Sequence, residues 1–332
     1  MKEKSINRDI LVKRAGLLSA VRSFFNEKGY TEIDAPCITP WPTMDSNIDS
    51  IPVTIKNLNK QTKKFFLHTS PEHSMKKLLA SGSGDIYFLG KVYRDGEITD
   101  LHNPEFTMAE WYKTNADYFD IMDETEDLVN FCLNSLNLPL KIHYGHYEID
   151  FEKPWERISV KEIFWNKGQI DLDKCMDISG IREAALKLSV HFNKHDDWDT
   201  IFSRIFIDNI EHELGFSRPC FVYDYPSKKP LMAAYKESDK NYVQRAELFI
   251  AGMELANGYT ELTDYKELLK RFEHEKKLKP EDFPIDYDLI EALKSGMPQC
   301  SGIALGIDRL LMILLDKKNI KEVIPFPLEN YF

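Results

Sequence analysis

Two strand-like runs joined by a polar connection constrain this chain more than any other feature. Ile86 to Arg94 and Glu105 to Tyr112 read as strands, and the stretch between them, Asp95 to Pro104, is rich in charge and polar groups. The pair forms a long hairpin. On its second strand Phe106, Met108, Glu110 and Tyr112 share one face by the period-two rule, while Arg94 ends the strand before it. A guanidinium and two polar side chains therefore converge.

A second hairpin runs from Glu247 to Ala256, folded about Ala251-Gly252, and Asn257-Gly258 marks a further irregularity. The turn brings Glu247 and Glu254 side by side. Two carboxylates so placed suit Mg²⁺, which takes one or two of them plus phosphate oxygens. A third segment, Cys300 to Leu305, is a short apolar strand leading into a helix whose apolar face is Ile307, Leu310, Leu311 and Leu314. Gly302, Ala304 and Gly306 let a ligand approach the backbone, and Arg309 lies in the helix's first turn, where amide dipoles favour phosphate. Taken singly, each segment has a plainer explanation: exposed hairpin charges, an acidic edge strand, or tight strand-to-helix packing with Asp308 near the helix start.

Around these strands the apolar spacing predicts helices over Arg8 to Lys28, 72 to 80, 116 to 136, 180 to 190, 265 to 277 and 286 to 295. Gly29 can end the first helix, Tyr30 to Ala35 then reads as a strand, and Pro36 fits its end. Periodicity is weak from 140 to 180. No repeat, low-complexity segment or long flexible linker interrupts the chain, so residues 1–332 read as one domain.

With 54 acidic and 43 basic residues the net charge is −11, which opposes sequence-independent adhesion to nucleic acid but leaves room for a small basic site for ATP. No apolar run reaches the roughly 18 residues needed to cross a bilayer, so a membrane-spanning protein is excluded. The amino terminus, MKEKSINRDILVKRAG, carries charge throughout and does not read as a secretory signal. Cys37, Cys132, Cys175, Cys220 and Cys300 form no C-x-x-C pair and no zinc-ligand cluster, which points to buried thiols in the reducing cytoplasm.

Together the three segments resemble motifs 2 and 3, and the acidic strands between them, of class II aminoacyl-tRNA synthetase catalytic domains. The likeness is greatest to lysyl-tRNA synthetases. It is carried by Tyr93-Arg94-Asp95-Gly96-Glu97 with His102-Asn103-Pro104-Glu105-Phe106-Thr107, by Glu247-x6-Glu254-Leu255-Ala256-Asn257-Gly258-Tyr259-Thr260-Glu261, and by Gly302-Ile303-Ala304-Leu305-Gly306-Ile307-Asp308-Arg309. Gly29 to Pro36 is similar to motif 1, whose proline ends a dimer-interface strand. The resemblance begins near Arg8 and leaves no residues for the anticodon-binding barrel that lysyl-tRNA synthetases carry before motif 1. A stand-alone domain of this kind resembles the elongation factor P lysine ligases, which activate (R)-β-lysine with ATP and transfer it to a lysine of elongation factor P. Ser70, in Ser70-Pro71-Glu72, stands where lysyl-tRNA synthetases usually have alanine, and Ala304 where they usually have glycine. Motif 2 usually reads Arg-x-Glu; here Gly96 holds the glutamate position and Glu97 follows, which leaves Asp95, Gly96 and Glu97 all open as the adenine contact.

The resemblance implies an α+β class II catalytic fold, an antiparallel sheet flanked by helices, in a homodimer that uses neither tRNA nor a membrane. It implies that Arg94 binds the α-phosphate and stabilises the transition state, that Arg309 grips the γ-phosphate, and that Glu247 and Glu254 hold Mg²⁺ on ATP. Asp95, Gly96, Glu97, Asn103, Glu254, Leu255 and Gly306 would line the nucleotide site. Ser70, Pro71, Glu72, Glu110, Tyr112, Asn257, Glu261 and Ala304 would surround the amino acid, with carboxylates answering its two ammonium groups. The amino acid's carboxylate would attack the α-phosphate to give an adenylate and pyrophosphate, and the acceptor amine would then take the acyl group. A truncated lysyl-tRNA synthetase or a non-catalytic regulatory paralogue would share many of these residues. The missing anticodon module with Ser70 and Ala304 opposes the first, and the retained Arg94, Glu247, Glu254 and Arg309 oppose the second.

Overall fold

The amphipathic period of the first helix, α1 (Arg8–Glu27), is visible in what it buries: Leu17, Ala20, Val21, Phe24 and Phe25. The Asn7 side chain caps its start by accepting from Asp9 N, and Gly29, at φ +81°, supplies the left-handed residue beyond its end. The computed structural model describes residues 7–278 and 283–331, so the first six residues of the charged amino-terminal stretch lie outside it. Short strands β1 (Thr31–Glu32) and β2 (Ile38–Thr39) precede β3 (Pro52–Lys56) and β4 (Thr62–Leu67), and α2 (Glu72–Ala80) leads to the expected hairpin, β5 (Ile86–Tyr93) and β6 (Glu105–Thr114). Helix α3 (Tyr118–Ser135) follows, started by a capping box between Asp117 and Asp120.

Next come β7 (Lys141–Tyr144), β8 (Tyr147–Asp150), β9 (Glu156–Ser159), α4 (Val160–Gly168), α5 (Ile178–Lys187) and α6 (Trp198–Asn209). Three long strands follow in β10 (Cys220–Pro226), β11 (Tyr242–Ile250) and β12 (Met253–Thr260), then α7 (Tyr265–Leu278), α8 (Tyr287–Gly296), β13 (Cys300–Gly306) and α9 (Ile307–Leu314). Among the described residues no helix is long and apolar enough to cross a membrane.

Eight strands make one sheet in the order β1-β5-β6-β13-β12-β11-β10-β9, antiparallel except for its outermost pairs, β1·β5 and β10·β9. The fold is thus α+β. Alternation along the central strands sorts side chains onto two faces. Tyr87, Leu89, Ala109, Trp111, Ile303 and Leu305 join the core under α1, α3 and α9. Ile86, Phe88, Met108, Tyr112 and Cys300 face the other way, toward Met75 and Leu79 of α2, Phe272 of α7 and Leu289 of α8. A further cluster packs α4, α5 and α6 against β10 and β11.

Three expectations change. Of the five cysteines expected to be buried, Cys37 is exposed. The strand foreseen over Tyr30 to Ala35 shrinks to Thr31 and Glu32, which pair in parallel with Ile86 and Tyr87. Ile33 N still donates to Tyr87 O at 2.8 Å, but Pro36 has no N–H with which the strand could continue. Asn257-Gly258 is no interruption either: β12 runs straight through it, with Gly258 opposite Ala246 on one side and Ile303 on the other. Gly258 is needed for close approach, because a Cβ there would lie 2.5 Å from Gly302 O. The register shift falls earlier, where Leu255 is the extra residue opposite Leu248 and Phe249.

Asp308 lies in the first turn of α9 and is 2% exposed. Its carboxylate accepts from Thr107 N at 2.6 Å and pairs with Arg14, which also donates to Thr107 Oγ1 at 2.7 Å. One buried ion pair thus joins α1, β6 and α9. Removing one partner of such a pair strands the other charge and costs about 3–5 kcal/mol. Asp308→Asn is expected to lower the unfolding free energy in urea by about that amount. A loss no larger than the ~1 kcal/mol of a surface pair would show that the interaction does not anchor these elements.

Candidate active site

The register of β12, β13 and β6 sets rows of side chains across the face opposite the main core. Asn257 lies beside Ala304 and Ala304 beside Glu110; in the next row Tyr259 lies beside Gly302 and Gly302 beside Tyr112. The middle strand must be small here, since a Cβ on Gly302 would lie 2.4 Å from the Tyr112 ring. Above this floor is a cavity of about 580 Å³ whose walls include Ser70, Glu72, Arg94, Glu110, Tyr112, Asn257, Glu261 and Ala304. The fold therefore brings together all the expected amino-acid residues except Pro71, which stands at the start of α2 outside the lining.

One end of the cavity is acidic. Glu110 accepts from Ser70 Oγ at 2.6 Å and from Tyr112 OH at 2.8 Å. Burial, with the nearby Glu72 charge adding to it, pushes the Glu110 carboxyl up to about 7. Lys76, buried on α2, places its ammonium 2.7 Å from Glu72 Oε1 and 2.5 Å from Glu261 Oε2. Tyr259 OH also donates to Glu72. Glu261 is 3% exposed, and neither of its oxygens receives a well-directed hydrogen bond. Burial outweighs the Lys76 charge there, and the Glu72 and Glu110 charges add to it, so Glu261 is pushed up to about 8. Burial pulls the Lys76 ammonium down, but Glu261 and Glu72 reverse this and hold it above its usual range.

Toward the other end, Arg94 stacks over Phe106 at 5.1 Å, keeps Nη1 3.7 Å from Glu97 Oε1, and has a buried Nε with no partner. Gly96 stands at φ +73°, a left-handed position that disfavours the glutamate expected there, and the Asp95 carboxylate accepts from Gly96 N at 2.9 Å. Arg309 donates to Glu254 O at 2.7 Å and to Leu101 O at 3.3 Å, and its other Nη meets His102 Nε2 at 2.5 Å. Burial and the Arg309 charge push His102 down to about 4, so the ring is neutral, with Nδ1–H directed to Thr99 Oγ1. A Cβ on Gly306 would meet only Leu255 O, at 3.6 Å. The protein itself leaves this backbone open to a ligand.

The extra residue Leu255 puts Glu254 and Asn257 on the same side of β12, where regular alternation would set them on opposite sides. Asn257 Nδ2 consequently reaches Glu247 Oε1 at 2.9 Å and Glu254 Oε1 at 3.4 Å. Arg245 and Tyr225 also bind Glu247. Burial and the Glu254 charge, opposed by Arg245, push Glu247 up to about 7. Among the described residues no group of three or more His, Cys, Asp or Glu side chains is placed to hold a metal ion. Two adjacent carboxylates do fit a divalent ion that arrives with phosphate oxygens of its own.

Of the nucleotide and metal residues expected from the sequence only Arg94 lines the cavity; Asp95, Gly96, Glu97, Glu247, Glu254, Leu255, Gly306 and Arg309 are not among its walls, and neither is Asn103. Its amide donates to Glu105 O at 2.6 Å and accepts from Leu328 N at 2.9 Å, beside a second cavity of about 620 Å³. The sequence reading did not assign roles to Lys76, Tyr225, Tyr259, Arg245 or His102. For Lys76 a signal existed, the Glu72 four residues earlier on a predicted helix.

A family model for class II tRNA synthetases (D, K and N) matches residues 2–330. The elongation factor P (R)-β-lysine ligase of Yersinia enterocolitica is 36% identical over 327 residues, covering 96% of this chain and 94% of that protein. That of Hamiltonella defensa is 34% identical over 332 residues, with coverages of 96% and 95%. An Aquifex aeolicus protein named as a homologue of the same ligase is 37% identical over 310 residues, with coverages of 91% and 94%. On this likeness, and on a fold and site that agree with it, the chain belongs to the class II tRNA synthetase family and, within it, to the elongation factor P (R)-β-lysine ligases.

Proposed function

We propose that this protein activates (R)-β-lysine with ATP and transfers it to a lysine side chain of elongation factor P, both steps taking place in one catalytic domain. The observation that carries the reading is a single chamber lined by Glu72, Glu110 and Glu261 and also by Arg94, which stacks on Phe106, four residues from Glu110 along β6. Such a chamber suits a ligand with two ammonium groups and a carboxylate. The relatives' names supply the acceptor.

The amino acid lies with its ammonium groups toward the three carboxylates and its own carboxylate toward Arg94. A carboxylate oxygen attacks the α-phosphorus of ATP, and the bond to pyrophosphate breaks. Arg94, clamped over Phe106, offers its donors to the phosphoryl oxygens as charge gathers on them. Arg309, fixed by Glu254 O and Leu101 O, faces the departing phosphates. The turn at Asp95, Gly96 and Glu97, with Leu255 and the open backbone at Gly306, lines the nucleoside. Glu247 and Glu254 would hold Mg²⁺, which would screen phosphate charge. The acceptor amine then attacks the acyl carbon, AMP leaves, and an amide remains. Holding both partners in one chamber supplies much of the acceleration.

ATP–pyrophosphate exchange is expected with (R)-β-lysine and Mg²⁺ in the absence of RNA, and incubation with elongation factor P should add one lysyl unit to its intact mass. Dependence of exchange on tRNA would overturn the reading, and exchange undiminished by a chelator would remove the metal from it.

The chain also works as a homodimer in this reading. Support comes from the groove lined by Leu18, Ile51, Tyr93 and Phe326, beside α1 and β5, where Phe326 is 80% exposed. Light scattering at micromolar concentration should give twice the chain mass. A monomer there contradicts it.

Ligand binding is coupled to proton release. Glu110 at about 7 and Glu261 at about 8 hold protons in the empty chamber near neutral pH, and an incoming ammonium favours their charged forms. Titration calorimetry in buffers of different ionisation enthalpy should show about one proton released per site at pH 7, falling toward zero above about pH 9, where both groups are already ionised. Proton-neutral binding at pH 7 would exclude these two carboxylates as the ammonium's partners.

A further inference from the structure

We propose that Lys76 is a specificity-determining residue, whose ammonium trims the charge of the amino-acid chamber to match a ligand carrying two ammonium groups. The inference rests on the chamber being the amino-acid site. Three carboxylates, Glu72, Glu110 and Glu261, belong to the acidic end, and Lys76 is the cation set among them. With all four ionised, two net negative charges remain. Among the other charged groups on the wall, Arg271 pairs with Glu267, and His73 with Asp286.

Lys76 is 1% exposed and has no freedom to leave. Its ammonium lies 5.2 Å from the Tyr259 ring centre and 3.6 Å from Met232 Sδ, and both of its carboxylate partners line the cavity. Held between two carboxylates it stays protonated, which removes it as a nucleophile or base. A purely structural purpose explains it poorly, because a buried ion pair is about as stable as apolar side chains of the same volume, or less so. Its position has a chemical consequence instead. A ligand with two ammonium groups neutralises the chamber, whereas one with a single ammonium leaves a buried negative charge unanswered.

The test compares (R)-β-lysine with (R)-3-aminoheptanoate, in which a methyl group replaces the distal ammonium, by the ratio of their kcat/KM values in pyrophosphate exchange. Glu261→Gln keeps an acceptor oxygen but lowers the chamber to one net negative charge, and should reduce the preference for the diamino acid by about tenfold or more. Adding Lys76→Met restores two net charges, and the double variant should recover a preference within about threefold of the wild type, with the KM for ATP within about twofold in both. Thermal melts confirm that each variant is folded; in the double variant Glu72 loses the Lys76 ammonium but keeps the Tyr259 hydroxyl. A double variant whose preference is no higher than that of Glu261→Gln overturns the proposal, since loss of a structural pair cannot restore selectivity. A wild-type protein that activates neither compound refutes the reading of the chamber itself, a different result.

Discussion

Asp308 is the one buried anion that three distant stretches of the chain need at once. By accepting from Thr107 N it fixes the phase of β6, and by pairing with Arg14 it draws α1 onto the same spot. Phase matters because strand side chains alternate with a period of two, and a slip of one residue exchanges the faces. With Thr107 and Ala109 directed toward α1 and α9, Glu110 and Tyr112 share the other side of the strand, where they hydrogen-bond to each other and line one cavity. Asp308 also sits one residue before Arg309, so the anchor of the core and the cation proposed to face the phosphates share one helical turn.

The site is the second face of the same sheet, made polar where the first is apolar. Its shape depends on departures from regularity. Leu255 is one residue too many for its partner strand, and that excess turns Glu254 to the side of Glu247 and Asn257. At Gly302 and Gly258 the missing Cβ lets Tyr112 and the β13 backbone come close enough to form a floor. At Gly306, by contrast, nothing in the protein crowds the missing Cβ, so the small residue serves whatever lies outside.

Much of this was legible in the sequence because it is local. The hairpin at residues 86–112, the left-handed Gly29 and the turn at Ala251-Gly252, both at positive φ, follow from strand alternation and from which residues tolerate those angles. The adjacent carboxylates Glu247 and Glu254 and the acidic residues of the cavity were legible as types in a familiar order. What escaped depends on contacts far apart in the chain. Helix α6 and strand β10 fill a stretch that received no assignment, and their apolar residues become interpretable only once they meet each other and β11. Arg245 was invisible as the partner of Glu247 because it stands two residues away on the same strand, a spacing that says nothing of which side chain curls back. Asn103 failed in the opposite way: it stands in the right motif, but its amide is spent on Glu105 O and Leu328 N, and Leu328 lies near the other end of the chain.

Burial makes the carboxylates of the chamber costly while it is empty. An isolated carboxylate taken from water loses several kcal/mol of hydration unless something answers its charge. Glu110 is answered by two hydroxyls, Glu72 by Lys76 and Tyr259, and Glu261 by Lys76 in a geometry that leaves both of its oxygens without a directed hydrogen bond. Glu261 is therefore the least satisfied carboxylate on the wall, and its proton is held more firmly than that of Glu110. Those two properties have one cause. A wall that satisfied Glu261 fully would be more stable without a ligand and would have nothing left to offer an ammonium. In the proposed function, the incomplete hydrogen bonding at residue 261 is the part of the structure that a diamino acid would complete, while Asp308 anchors the other face of the same sheet.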